Sequence, residues 1–232
     1  MENRQKPPHL EAPLNPLPPL ILALAVLIIG VELGFTLAEA KLIGGPGAVG
    51  WRVGAIESYG FSGFAFDWMM ERGQWSGEHV VRFVTYPFLH GGFAHALFAA
   101  VIVLAMGKVV AEALGQIRTL ALFFLSSVIG ALIWGLVLDE KWLMGAFPGA
   151  YGLIGGFTYL LILGLRARGA PPARAFLLIG MLAAVQLVFG AMTGFSSTDW
   201  LADFSGFAVG FGLSILLVPG GWSRLIEALR RR

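Results

Sequence analysis

The sequence predicts an all-α membrane protein with six transmembrane helices, and three observations lead to this fold class. Of the 232 residues, 57% are hydrophobic and only 13% are charged. The mean hydropathy is +0.77, which is too apolar for a soluble domain of this size. Apolar runs recur at the length of about 20 residues that a helix needs to cross the hydrocarbon, where every backbone polar group must be bonded within the helix.

Six apolar segments qualify as spans and divide the chain into one membrane domain with two short tails. The predicted spans cover residues 20–38, 93–110, 119–138, 149–165, 175–194 and 200–218. The membrane domain is therefore predicted at 20–218, between an N-terminal tail at 1–19 and a basic C-terminal tail at 219–232. A cleaved signal peptide is not expected, because a proline-rich, mostly polar tail precedes the first span.

The lysines and arginines predict the orientation of these spans, since short basic loops are retained on the cytoplasmic side. With both termini inside, 11 of the 16 Lys and Arg residues fall on that side and five on the other. An even number of spans agrees with this division. We therefore expect a multi-pass protein of a bacterial inner membrane whose two termini are cytoplasmic.

Composition also limits the chemistry that the chain can perform. The chain has no cysteine, which excludes disulfides, thiolate catalysis and cysteine-ligated metals. A net charge of +2 is too small to indicate nucleic-acid binding. The expected partner is the lipid bilayer, and no cofactor is expected.

One connection, the loop at residues 39–89, is long, and it lies on the outer side in the predicted orientation. Its stretch FAFDWMMERGQW mixes aromatic and charged residues, a composition typical of a segment lying in the membrane interface. A loop this long inside a compact membrane domain is usually functional. A solvated excursion with scattered aromatic residues is an equally good interpretation of the same pattern.

Ionisable groups inside spans are costly to bury and are therefore the first candidates for function. They are Glu32 in the first span, His95 with His90 just before it at the second, and Asp203 in the sixth. Glu32 lies in a helix of small residues and is expected to pair with another span. The three other groups share one membrane depth, near the outer face.

Glycines predict how the fourth and sixth spans meet, because small residues let helix backbones approach closely. The sixth span carries Gly206 and Gly210 at GxxxG spacing, and Asp203 lies on the same face. The fourth span begins with a set of glycines, of which two are the expected packing positions, Gly149 and Gly152. If these helices meet, the hydroxyl of Tyr151 is predicted to donate a hydrogen bond to the carboxylate of Asp203.

Four stretches, in this order, resemble the motifs of a known family. They are VRFVTYPFLHGGFAHALFAA, its continuation GKVVAEALG, then PGAYGLIGG, and finally ADFSGFAVGFG. The chain is similar over about residues 81–218 to the rhomboid intramembrane serine proteases, whose second span begins with a histidine-rich motif, whose fourth begins with Gly-x-Ser-Gly, and whose sixth carries a histidine before small residues. The resemblance implies a six-helix rhomboid-like bundle.

The resemblance also implies that the catalytic dyad is absent. The nucleophilic serine of the family falls on Tyr151, and its general-base histidine falls on Asp203. Of the second-span residues that help to hold the oxyanion, His95 is retained, whereas Ala99 replaces the asparagine. The remaining motif positions are the retained His90 and Arg82, with Val81 where the family has a tryptophan.

Tyrosine and aspartate are poor substitutes for the missing dyad. The ordinary pKa of a phenol lies about six above that of a carboxyl, so the proton transfer is roughly 8 kcal/mol uphill. A tyrosine ring also occupies the space where a scissile carbonyl must sit. We therefore expect a pseudoprotease that binds transmembrane segments of client proteins without cutting them, a use for which the inactive rhomboids and the derlins provide the precedent.

Two other functions remain open from the residues alone. The first is an active serine-type endopeptidase with a rearranged site, in which Ser205 would be the nucleophile, although it lies on a different helix face from Asp203. The second is a metal-binding or transport protein that uses His90, His95 and Asp203, with Glu32 in a proton path. Histidine and carboxylate ligands suit Zn or Fe, but a five-residue spacing does not place two side chains on one helix face.

Overall fold

The protein is a bundle of membrane helices with a set of short helices at one face, which we call the outer face after the predicted orientation of the spans. The computed structural model describes residues 16–138, 142–193, 198–222 and 230. Within these residues, five helices are long and apolar enough to cross a membrane. Residues 1–15 of the predicted N-terminal tail and residues 223–232 of the predicted C-terminal tail, apart from Arg230, lie outside the described residues, as does the end of the fifth predicted span at Gly194.

The helices follow one another with short connections. Helix α1 covers Pro19–Glu39 and is followed by the short helices α2 (Trp51–Tyr59), α3 (Gly63–Arg72), α4 (Gly77–Val80) and α5 (Arg82–Thr85). The long helices α6 (Phe93–Leu114), α7 (Gln116–Val137) and α8 (Phe147–Ala167) come next. The chain continues through α9 (Leu177–Thr193) and α10 (Trp200–Leu217). This order confirms the all-helical fold class.

Helix α9 corresponds to the fifth predicted span and is the shortest of the long helices. It has 17 residues, or about 25 Å at 1.5 Å per residue, which is at the lower limit for crossing the hydrocarbon. A 3-10 turn at Pro172–Phe176 leads into it, as expected for two consecutive prolines. Among its described side chains, Ile179 faces the bundle and packs with Tyr151 and Ile154 of α8.

Helices α7, α8 and α10 form the most closely packed part of the bundle. A β-carbon added at Gly210 would collide with the backbone of Gly152, with its carbonyl carbon at 2.5 Å and its α-carbon at 2.6 Å. A β-carbon at Gly206 would likewise meet the backbone of Pro148 at the start of α8. Helices α8 and α10 are therefore in direct backbone contact, which fixes the relative positions of their outer ends.

The long outer loop is folded against the bundle. Helix α3 buries Phe66 and Met69, whereas Phe64 and Met70 are exposed. Phe61 and Leu143 exchange two backbone hydrogen bonds of 3.1 and 2.8 Å, which join the loop to the segment before α8. The hydroxyl of Tyr86 donates to the backbone carbonyl of Ser127 in α7 at 2.7 Å.

Candidate functional site

An apolar cavity of about 510 Å³ lies near the outer end of the bundle. Its walls come from α6, α8, α9 and α10, and the segment before α8 contributes Leu143 and Met144. Four of the residues that line it have polar side chains: His95, Tyr151, Asp199 and Asp203. The remaining lining is apolar, namely Phe98, Ile102, Phe147, Pro148, Leu182 and Val185. The cavity therefore brings together three predicted site residues and adds Asp199, which sequence reasoning missed.

Tyr151 forms part of the cavity wall. It lies in the first turns of α8 and is only 2% exposed. Its ring contacts that of Phe204 edge to face, with 5.9 Å between the centroids, and it packs in a cluster with Ile154 and Ile179. The tyrosine is thus a packed side chain on the face of α8 that points towards α9 and α10.

Asp203 lies in the first turn of α10 and is 4% exposed. It lines the same cavity as Tyr151, which places the two groups at one site. The hydrogen bond between them stays a prediction. Asp199 immediately precedes α10 and lines the cavity as well. Asp199 lies four residues before Asp203, a spacing that places two residues on the same face of a helix. This spacing is the sequence signal by which Asp199 could have been predicted.

His95 and His90 have different roles, although their rings are 5.3 Å apart. The ring of His95 stacks on Phe147 with 4.8 Å between the centroids, and its Nδ1 accepts the backbone N–H of Gly91 at 3.4 Å. His90 is fully buried, and its Nε2 accepts the backbone N–H of Ala146 at 3.2 Å. His90 therefore holds the segment that leads into α8, whereas His95 faces the cavity.

Burial lowers the pKa of His90 to about 4, and the neighbouring His95 and Arg52 act in the same direction. The imidazole is therefore neutral near pH 7, which its acceptor role requires, since a protonated ring has no acceptor nitrogen. Gly145, which precedes the Ala146 that donates to His90, has a φ of +103°, a conformation that glycine adopts readily. A β-carbon there would also approach Cε1 of His95 to 3.0 Å.

An ion-pair cluster ties the outer loop to α1. Nη1 of Arg52 donates to Oε2 of Glu32 at 2.7 Å and to the backbone carbonyl of His90 at 2.8 Å. Nε of the same guanidinium donates to Oε1 of Glu39 at 2.7 Å. The expectation that Glu32 pairs with another span is wrong, because its partner comes from α2 in the loop. A long arginine side chain can reach a buried carboxylate from outside the bundle.

Arg82 also stabilises the loop. Its Nη1 donates to the backbone carbonyls of Glu57 and Gly60, at 2.9 and 3.1 Å. Its guanidinium lies 5.8 Å from the centroid of the Trp142 ring. Arg82 therefore joins the end of α2 to the start of α5, and it is not one of the residues that line the cavity.

Comparison with known proteins identifies the family. The sequence matches the family model for the rhomboid domain over residues 77–220, which is more than half of the chain. The chain belongs to the rhomboid family. It is also similar to RHOMBOID-like protein 4 of Arabidopsis thaliana, with 28% identity over 149 residues. The matched region is 63% of this chain and 37% of the plant protein, so the chain spans little more than a third of that relative's length.

The residues of the cavity can be compared with the catalytic site of the rhomboid family. The sequence analysis predicts that Tyr151 occupies the position of the rhomboid serine and Asp203 that of its histidine, and both residues line the cavity. Ala99 is fully buried one turn after His95, and its methyl group has no hydrogen to donate to an oxyanion. Among the described residues that line the cavity there is no serine, and Ser205 is not one of them.

The alternative metal site has little support in the geometry. The Nε2 lone pair of His90 is already occupied by the backbone N–H of Ala146. Within the described part of the chain, no group of three His, Asp or Glu side chains is arranged to hold a metal ion.

Proposed function

We propose that this rhomboid-family membrane protein binds a transmembrane segment of another protein at the cavity and does not cleave it. The observation that carries the proposal is the packing of Tyr151, which is 2% exposed at the position aligned with the nucleophile. A tyrosine ring packed against Ile154, Ile179 and Phe204 is much larger than a serine side chain and fills part of the space that a scissile carbonyl would need. Binding at the neighbouring cavity remains available.

The walls of the cavity suit a segment that arrives through the lipid. Phe98 of α6 and Val185 of α9 both line the cavity, and they are 67% and 64% exposed. The cavity edge between these helices is therefore apolar and faces outward. An apolar segment can move from lipid to this edge without burying an unpaired polar group.

A proteolysis assay tests the absence of cleavage. Purified protein in liposomes, offered a generic rhomboid substrate, should release no product above the level of a Tyr151→Phe variant. This control removes only the hydroxyl and retains the ring. Cleavage that depends on the Tyr151 hydroxyl would overturn the proposal, and labelling of Ser205 by a serine-directed fluorophosphonate would favour the rearranged protease.

Crosslinking in membranes tests client binding. Because the chain has no cysteine, a single cysteine introduced at Val185 carries a photoreactive group at one defined place. A matched cysteine replaces Val26, which is 60% exposed on α1 and does not line the cavity. Protein crosslinks should form at Val185 and not at Val26. Recovery of lipid alone at both positions would contradict client binding.

The proposal includes a location in a bacterial inner membrane with both termini in the cytoplasm. It is supported by the 11 of 16 basic residues that fall on one side in this orientation and by the membrane-spanning helices. Single cysteines at Gln5 and Arg230 should react with an impermeant maleimide only after the cells are permeabilised. A cysteine at the exposed Ser76 should react in intact spheroplasts, and the reverse pattern would invert the topology.

A further inference from the structure

We propose that the turn between α8 and α9 binds the phosphate group of an anionic phospholipid through Arg166, Arg168 and Arg174. In the predicted orientation of the spans this turn lies at the inner, cytoplasmic face of the membrane. It is at the other end of α8 from the cavity, and the inference does not depend on client binding. It follows from the charge, the exposure and the apolar surroundings of the turn.

The three arginines have no counter-charge in their own part of the chain. Residues 142–198 contain these arginines and no lysine, aspartate or glutamate. All three residues are exposed. Within the described part of the chain, none of them forms an ion pair or a hydrogen bond through its side chain. The turn therefore presents three uncompensated guanidinium groups to an anion from outside the protein.

The backbone of the turn is held by contacts on both of its arms. The N–H of Ala170 donates to the carbonyl of Leu165 at 2.9 Å, and Gly169 has a φ of +67°, which reverses the chain at the end of α8. The 3-10 turn at Pro172–Phe176 follows, and the ring of Phe176 lies 5.9 Å from that of Phe211 in α10. The arginines therefore extend from one fixed turn, and their long side chains can reach along the membrane surface to a shared phosphate group.

The surface beside the arginines is apolar and suits the acyl chains of a lipid. Phe176, Leu177 and Met181 are 42%, 64% and 66% exposed. Leu177 and Met181 are four residues apart and lie on one face of α9. This face begins three residues after Arg174 and runs along the helix into the bilayer. Basic side chains at the end of an apolar membrane face are the arrangement that binds anionic lipid headgroups, whereas a soluble anion would use only the basic part.

The ends of the helices account for only part of this charge. A cation is favourable near the C-terminus of a helix, which suits Arg166 and Arg168 at the end of α8. Arg174 instead precedes α9, where the helix dipole disfavours a cation, and the first turn of α9 has no acidic residue. A phosphate group would offset this repulsion, since a guanidinium can donate two parallel hydrogen bonds to phosphate oxygens.

Fluorescence quenching by spin-labelled lipids tests this inference. Because the chain has no cysteine, Met181→Cys carries a single bimane label on the lipid-facing side of α9. The labelled protein is placed in phosphatidylcholine vesicles that contain a small, fixed fraction of spin-labelled phosphatidylglycerol or spin-labelled phosphatidylcholine, and the quenching gives their relative binding. Arg166, Arg168 and Arg174 are replaced by glutamine singly and together. Arg118→Gln is the matched control, since Arg118 is an exposed arginine at the start of α7 on the same face.

The native protein should bind phosphatidylglycerol about tenfold or more tightly than phosphatidylcholine, because each arginine near an anionic headgroup contributes about fivefold. Each single variant in the turn should reduce this preference severalfold, the triple variant should abolish it, and Arg118→Gln should retain it. Equal quenching by the two lipids in the native protein would overturn the inference. An equal fall in Arg118→Gln would also overturn it, because the attraction would then belong to the whole inner face. Loss of the preference in sodium phosphate, but not in sodium chloride of the same ionic strength, would assign the arginines to a soluble phosphate and would overturn the lipid site.

Discussion

Replacement of Gly210 by alanine should destabilise the bundle, because α8 and α10 are in backbone contact at this position. The added β-carbon would lie 2.5 Å from the carbonyl carbon of Gly152 and 2.6 Å from its α-carbon. Carbon atoms in contact normally lie about 3.5 to 4.0 Å apart, so the helices must separate by about 1 Å. Overpacking of this kind costs about 1–3 kcal/mol.

Gly212 is a matched control on the same helix. A β-carbon there meets no atom within 4 Å, so Gly212→Ala only gains the helix propensity of alanine, about 1 kcal/mol in its favour. Thermal unfolding in detergent, followed by tryptophan fluorescence, measures both variants. Because both variants gain the same helix propensity, the control should be more stable than Gly210→Ala by the overpacking cost of about 1–3 kcal/mol, which corresponds to roughly 2–12 °C in Tm.

Equal Tm values for the two variants would refute the argument that close backbone approach holds α8 against α10. The same would follow if Gly210→Ala were the more stable protein. A lower Tm for Gly210→Ala together with weaker client crosslinking at Val185 would link this contact to the cavity, because α8 and α10 carry Tyr151 and Asp203 to its wall.

Two further predictions concern the outer loop. The pKa of His90 is lowered to about 4 from an unfolded value near 6.5, so the unfolded state binds the proton more readily. The free energy of unfolding should therefore fall by about 1.4 kcal/mol per pH unit as the pH drops from about 6.5 to about 4. A His90→Gln variant measured by the same thermal melts should lack this pH dependence, and identical pH profiles of the two proteins would contradict the prediction. Replacing Arg52 by glutamine should lower the free energy of unfolding by about 3–5 kcal/mol, because it leaves the fully buried Glu32 without its guanidinium partner. Adding Glu32→Gln to this variant should recover part of the loss, whereas the control Arg72→Gln on the exposed end of α3 should cost little. If Glu32→Gln gives no recovery, the unpaired charge is not the cause of the loss.

The spans were predictable because the hydrocarbon core of a bilayer requires long apolar helices. Segments at 93–110 and 149–165 were expected, and the helices cover Phe93–Leu114 and Phe147–Ala167. Hydropathy reports the apolar length that must be helical, but it does not report the polar or small residues that continue a helix beyond the hydrocarbon. The predicted segments therefore end before the C-terminus of both of these helices and begin after the N-terminus of the second.

The outer loop was much less predictable. Its short helices lack a long periodic pattern and depend on tertiary contacts, such as the paired backbones of Phe61 and Leu143. Arg52 was counted only as an outer-side charge, because a contact with Glu32 across 20 residues leaves no local signal. The loop proved to be folded against the bundle, with both buried and exposed aromatic residues.

The cavity was predictable in part. Motif order indicated that His95, Tyr151 and Asp203 share one depth, and all three line the cavity. Asp199 was overlooked because it precedes the predicted sixth span, where hydropathy no longer marks a helix face. The volume beside Tyr151 also depends on how α9 lies against α8, and a single sequence carries no direct record of such packing.

The packing of Tyr151 makes its replacement by serine costly. A serine at this position would leave an empty space among Ile154, Ile179 and Phe204, and removing a large buried side chain typically costs about 3–5 kcal/mol. That loss would come before any gain, since a serine beside Asp203 and Ala99 has neither the general base nor the second oxyanion donor of the family. If the protein does not cleave its clients, as proposed, proteolysis at this site would therefore require several coordinated substitutions, of which the replacement of Tyr151 alone would lower stability.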